Sequence, residues 1–249
     1  MMRRTLFAAA AMMLMASPAF AQGPAPLRSG YATLNFGGQA QSQDFPISGG
    51  FPLYGEEVVF DTRHDVGGGG LFEIGGGVRV WEDLSVGISF ANRFKNTHDS
   101  VVNAQVPSPV FTDAWRSATG TAAGLGHSER AVHLLASWRV PVTEEFDVSL
   151  SFGPSFFTVR QDVVEGIDVA EVGGDFSAAT ISSISMRQVS DTGAGVNLGV
   201  DGTYMVTRQL GGGIQLRYSR GGVRLPVGGT DVKLDAGGFE VGAGLRFRF

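Results

Sequence analysis

The feature that most constrains this chain is a strict alternation of period two. In "FEIGGGVRV", residues 72–80, Phe72, Ile74, Gly76, Val78 and Val80 fall on one side, and Glu73, Gly75, Gly77 and Arg79 fall on the other. Successive side chains point to opposite faces only in an extended strand. A phosphate-binding glycine loop would need G-x-G-x-x-G leading into a helix, and no helical pattern follows here. The glycines at 75 and 77 instead share a face with charged side chains and leave them room.

The same two rows recur in eight segments, near 31–41, 66–81, 84–93, 132–140, 147–156, 194–204, 214–219 and 239–249. The apolar rows, such as Val196, Leu198 and Val200 or Val241, Ala243 and Leu245, contain no charge. The opposite rows carry Glu73, Arg79, Arg93, Arg139, Asp147, Asp201, Arg217, Glu240, Arg246 and Arg248 among Gly and Ser. A soluble barrel would turn its apolar row inward and clothe its outside with mixed Lys, Glu, Thr and Gln. Here the polar rows hold no Lys and are rich in small residues. That combination predicts the reverse, with the apolar rows against lipid and the charges inside a narrow bore. A charge on the lipid side costs about 2–4 kcal/mol at the midplane, which explains an uncharged row.

Connections alternate in length. "WEDL", "TEEF" and "TRQL" are tight turns, whereas the segments near 42–65, 96–127, 161–190 and 221–235 are long. The expected architecture is all-β: an eight-stranded antiparallel up-and-down transmembrane β-barrel with four long extracellular loops and three short periplasmic turns. Both termini then lie in the periplasm. Counting across the turns pairs Glu73 with Arg93 and Arg139 with Asp147, and sets Arg217 level with Glu240. Buried charges need such partners. The network reads as a salt-bridged plug, with an ion path or gate as the other reading. Trp81, Trp138, Tyr204 and Phe146 lie near the short-turn end and fit an interfacial girdle.

The chain begins "MMRRTLFAAAAMMLMASPAFA". Arg3 and Arg4, an apolar stretch over 6–16 and Ala19-Phe20-Ala21 make a secretory signal peptide, 1–21, ahead of a single barrel domain, 22–249. Without Arg3 and Arg4, 17 basic residues face 24 acidic ones, a net charge of −7. That argues against nucleic acid as a partner. With no cysteine there is no disulfide, no thiolate metal site and no lipid-anchored N-terminus. No cofactor is expected.

The sequence ends "GAGLRFRF". Gly244, Phe247 and the terminal Phe249 resemble the assembly signal that the barrel-insertion machinery reads on the last strand of outer-membrane proteins. With the eight strands and the signal peptide, the chain resembles the small outer-membrane barrels of the OmpA/OmpX/OmpW-like group, although it lacks the peptidoglycan-binding domain that follows the barrel in full OmpA. The resemblance implies an outer-membrane location in a double-membraned bacterium, with lipid and lipopolysaccharide as surroundings and the insertion machinery as a partner in biogenesis. Fold does not fix function. A structural or surface-interaction role comes first, then a narrow channel for small or apolar solutes, then a lipid-modifying enzyme.

Few residues suggest chemistry. His127-Ser128-Glu129 holds the residue types of a serine hydrolase, but neighbours on a strand point to opposite faces, so no catalytic set is assigned. His133 is expected inside, and His64 and His98 lie in long loops without metal-ligand spacing. Asp162, Glu165, Asp168, Glu171 and Asp175 crowd one loop without the spacing of a calcium site. Phe45, Phe51, Tyr54, Phe60, Phe111 and Trp115 of the first two long loops either anchor a partner or pack on one another.

Overall fold

In a computed structural model of the 249-residue chain, residues 30–40, 43–174, 176–227 and 230–249 are described. The signal peptide assigned to 1–21 lies outside them, as does Asp175. Among the described residues ten strands form: β1 (Gly30–Ala40), β2 (Gln43–Leu53), β3 (Glu56–Val66), β4 (Gly69–Trp81), β5 (Leu84–Pro107), β6 (Trp115–Pro141), β7 (Phe146–Val172), β8 (Ala178–Met205), β9 (Leu210–Val227) and β10 (Thr230–Arg248). Eight of them, β1-β4-β5-β6-β7-β8-β9-β10, close into an antiparallel ring, with β10 hydrogen-bonded back to β1. Closure leaves no unpaired sheet edge in a solvent that cannot hydrogen-bond. The three short turns stand where the sequence puts them.

The long segments differ from expectation. They are strands, not loops. Segment 42–65 is the hairpin β2–β3, and β3 extends the wall by pairing with β5 from Val59↔Gln105 to Thr62↔Val102. Segments 96–127 and 161–190 are the upper parts of β5–β6 and β7–β8, and 221–235 continues β9–β10. Of the carboxylates read as a loop cluster, Asp162, Glu165, Asp168 and Glu171 therefore stand on β7, each held separately. Asp162 accepts the Gly126 N–H at 3.0 Å, Glu165 pairs with Arg187 at 3.0 Å, and Glu171 pairs with Arg116.

Along β9 the alternation keeps its phase while its chemistry inverts, whereas bulges between Arg93 and Asn96 on β5 and between Val164 and Gly166 on β7 shift the phase of those strands. On β9 the inward residues run Gln215, Arg217, Ser219, Gly221, Val223, Leu225 and Val227, and the outward ones Ile214, Leu216, Tyr218, Arg220, Gly222, Arg224 and Pro226. Polar-in and apolar-out becomes apolar-in and polar-out at Arg220–Gly221. β10 inverts between Phe239 and Asp235, and β6 between Val132 and Arg130. The change in the outer row marks where lipid gives way to water. Below it Phe152, Leu198 and Ile214 are more than 60% exposed and face acyl chains. Above it the barrel has an ordinary apolar core.

That upper part is a dome. The ring is closed only up to His127↔Gln161 between β6 and β7, and up to Gly195↔Gly221 between β8 and β9. Beyond these points the hairpins separate and pack by side chains. Phe45 and Ile47 of β2 lean over the bore onto Phe157, Val159 and Val163 of β7, with Val223, Leu225 and Leu234 completing the cluster. A second cluster joins Val58, Phe60, Val102, Ala104 and Leu125 to Val164 and Ile167. At Gly120 an added Cβ would come within 3.3 Å of Ile181, so glycine there lets two packed sheets approach.

Histidines give the dome a pH dependence. His64 stacks on Phe45, centroids 5.1 Å apart, and its Nδ1 lies 3.2 Å from His98 Nε2. Burial first, then the charge of His98, pushes His64 down to about 4. Burial does the same to His127, with Arg93 and His98 adding to it and the Gln161 hydrogen bond opposing. His98 is lowered by burial against the pull of Asp65, Asp99 and Asp162. Unfolded histidines titrate near 6.5. Each folded value lies below that, so the stabilisation is complete above about pH 6.5 and is lost as pH falls towards 4. Unfolding of the dome followed between pH 7.5 and 4.5 is expected to shift to lower denaturant as pH drops. His64→Phe, which keeps the stack on Phe45, is expected to flatten that slope.

Candidate functional site

Two regions hold polar groups in defined geometry: the bore and the distal tip. The bore is built from the inward rows. Arg217 on β9 reaches across to Glu73 on β4 with both nitrogens, Nη1 to Oε2 at 2.5 Å and Nη2 to Oε1 at 3.1 Å. Gln215 also donates to Glu73, and its Oε1 accepts from Asn35 Nδ2 at 2.6 Å. Asn35 Oδ1 accepts from Arg246 Nη1 at 2.7 Å, and Arg246 forms an ion pair with Asp201. A continuous hydrogen-bonded chain thus crosses the lumen from β8 to β4. Glu240 stands beside Arg217 at 3.9 Å and accepts from Ser219 at 3.2 Å.

Above this chain, Arg93 on β5 faces Glu129 on β6 in register. Glu129 accepts the Gly237 N–H at 2.9 Å, and the Gly237 carbonyl accepts from Gln39 at 2.6 Å. Gly237 has φ +96° and a Cβ would lie 2.3 Å from the Ser219 carbonyl oxygen. Only glycine turns its peptide into the bore there. Below the chain, Arg139 pairs with Asp83 at 3.0 Å and Arg248 with Asp147.

The sequence-based pairings differ in part. Arg217 and Glu240 are directly opposed, as counted. Glu73 sits beside Ala91, and Arg93 beside Leu71: the turn pairs Trp81 with Leu84, which alone sets Glu73 beside Asn92, and a bulge between Arg79 and Trp81 shifts the ladder one residue further. Arg139 sits beside Ser149, and its carboxylate partner comes from the neighbouring turn at Asp83. Counting along hairpins finds only adjacent-strand partners. The pairs Glu73–Arg217, Asp147–Arg248 and Asp201–Arg246 join strands that are not hairpin partners.

The His-Ser-Glu triplet separates as strand geometry requires. His127 and Glu129 are buried in the bore, and Ser128 lies on the other face. His127 Nδ1 is 2.8 Å from Gln161 Oε1, and His133 Nδ1 is 2.7 Å from Ser155 Oγ, so each imidazole is engaged inside. Gly244 has a packing reason of its own: a Cβ there would lie 1.7 Å from the Leu34 carbonyl oxygen.

The tip was not legible as a unit. Arg116 at the start of β6 pairs with Glu171 at the end of β7, donates to the Pro107 carbonyl at 2.6 Å and to the Phe176 carbonyl at 3.0 Å. Tyr54 Oη donates to Glu171 at 3.1 Å, and Glu56 accepts the Asp113 N–H at 2.9 Å. Three hairpin ends are clasped by this network. The Arg116 hydrogen bond holds the Glu171 carboxyl below the usual carboxylate range. Around the clasp Tyr54, Val110, Phe111, Trp115 and Phe176 stay exposed, Phe111 at 69%. The loop aromatics therefore divide: Phe45 and Phe60 are core, Phe51 packs on it, and Tyr54, Phe111 and Trp115 face outward.

The closed ring and apolar belt agree with the match of residues 7–247 to the model of the outer membrane protein beta-barrel domain. The chain belongs to that family. The solved structures it resembles include the neisserial surface protein A, at 13% identity and TM-score 0.45 over 89% of this chain and 96% of that one. They also include OprG of Pseudomonas aeruginosa, at 12% and 0.43 over 89% and 96%. A third is the outer membrane protease OmpT of Escherichia coli, at 9% and 0.46 over 92% and 99%. No curated protein sequence matches the chain.

Proposed function

We propose that this outer-membrane barrel is a sealed scaffold that displays a rigid aromatic tip for interaction outside the cell. The observation that carries the reading is the cross-bore chain from Asp201 through Arg246, Asn35 and Gln215 to Glu73 and Arg217, lying beneath an apolar dome. Water and ions meet paired charge and then hydrocarbon. An eight-stranded bore is filled by such side chains rather than open. At the other end, clasped hairpins hold aromatics in place before any partner arrives, which lowers the ordering cost of binding.

Reconstituted into planar bilayers, the protein is expected to give no discrete current steps above background. Resolved single-channel steps would favour the narrow-channel reading. Arg116→Ala is expected to release the tip: cleavage by a soluble protease in the turn 108–114 should rise severalfold, with heat-modifiable gel mobility of the barrel retained. An unchanged cleavage rate would mean that the clasp does not order the tip.

The same reading assigns 1–21 to export and Gly244, Phe247 and Phe249 to recognition by the insertion machinery. The surroundings are outer-membrane lipid and lipopolysaccharide. No catalytic role is assigned, since Ser128 lies on the opposite face from His127 and Glu129.

A further inference from the structure

The periplasmic end of the bore holds a cavity of about 120 Å³, lined by Arg79, Arg139, Arg248, Tyr31, Ser137 and Asp147 among others. We infer that this vestibule is a binding site for a small oxyanion drawn from the periplasm, with Arg79 as its anchoring cation.

The argument rests on how charge is distributed in depth. The floor is neutralised: Arg217 and Arg246, 3% and 4% exposed, are engaged by Glu73 and Asp201. The mouth is wetter, with Arg139 at 28%, Asp83 at 35% and Arg248 at 26% side-chain exposure, so the vestibule opens downward and is blind above. Three guanidiniums meet there, and two carboxylates, Asp83 and Asp147, are taken by Arg139 and Arg248. Arg79 makes no ion pair among the described residues. The charged groups that act on it are Arg139, Asp83 and Arg248. Nor can the segment before β1 supply a partner, because residues 1–29 contain no Asp or Glu. One positive charge is left over beside two others in a partly dehydrated hollow, and a guanidinium in such a place is stabilised by a bidentate oxyanion.

The space suits that ligand. It exceeds what one water occupies several times over. Glycine at 77 gives the Tyr31 ring of its wall room to stand there: a Cβ on Gly77 would lie 2.8 Å from the Tyr31 hydroxyl oxygen. Hydroxyls of Tyr31, Ser85 and Ser137 line the wall and can donate to anion oxygens. Because the bore is plugged above, the ligand enters and leaves on one side, so the site retains rather than transports.

The test uses the full barrel folded in lipid nanodiscs and titrated by calorimetry with inorganic phosphate, with succinate as a second arm and chloride as the control. Saturable heat with phosphate, and its weakening by at least about tenfold in Arg79→Gln, is the expected result. Saturation by succinate alone would support the site as one for carboxylates. No saturable binding of either anion, or binding unchanged in Arg79→Gln, would overturn the inference. Arg224→Gln, on the outer face of the dome, serves as a variant that removes one arginine elsewhere and is expected to bind phosphate as the parent does. Gel mobility before and after heating confirms that each variant is folded.

Discussion

Arg217→Ala is expected to destabilise the barrel by about 3–5 kcal/mol, because it strips one member from a buried ion pair and leaves the other without compensation. Arg217 is the only cation within 4.0 Å of both Glu73 and Glu240 among the described residues. Its removal leaves two carboxylates facing each other in the lumen. Urea unfolding of protein folded into lipid vesicles measures the change. Arg217→Met combined with Glu73→Gln and Glu240→Gln should recover much of the loss, since exchanging a whole buried ionic group for neutral ones is often nearly neutral. A loss below about 1 kcal/mol in the single variant, the range of exposed surface pairs, would mean that water reaches this level of the bore. The plug reading would then fail with it.

The second large effect follows from the inversion along β9. Leu216→Arg places a cation on the lipid-facing row and is expected to cost about 2–4 kcal/mol. Arg224 stands on the same row only eight residues further along, already charged and facing water. Arg224→Leu should change stability by no more than about 0.5 kcal/mol, as for surface positions generally. Leu225→Arg, one residue on and 1% exposed, drives a charge into the dome core and should be at least as damaging as Leu216→Arg. If Leu216→Arg and Arg224→Leu prove equally mild, the boundary between lipid and water is not where β9 changes its outer row.

The eight-membered ring was legible because alternation is a local property. Phe72 to Val80 reads as a strand wherever the rest of the chain goes, and the absence of charge from rows such as Val196, Leu198 and Val200 names the solvent they meet. The dome was hidden for a related reason. In segments 161–190 and 221–235 the pattern is still two-sided, but Val223 and Leu225 are buried while Arg220 and Arg224 are exposed. Read with the belt's rule, that chemistry fails the test for a membrane strand and looks like loop.

Register was the other difficulty. Glu73 and Arg93 read as opposite, yet the turn pair Trp81–Leu84 leads Glu73 to Asn92, and a bulge at Arg79–Trp81 moves it on to Ala91. Nothing in "VRVWEDL" announces that bulge. The tip clasp needed still more, since Arg116 and Glu171 are 55 residues apart and meet only because two hairpins lean together.

By itself the sequence determined which residues alternate, which rows tolerate charge, where the short turns fall and hence a ring of eight strands in a membrane. Backbone geometry and the solvent on each side enforce those features residue by residue. Only the tertiary structure decided that β2 folds over the bore, that Glu73 answers Arg217 rather than Arg93, and that Arg79 makes no ion pair with a carboxylate among the described residues. Those outcomes depend on ladder offsets and on contacts between distant strands, where a shift of two residues changes every partner while leaving the alternation intact.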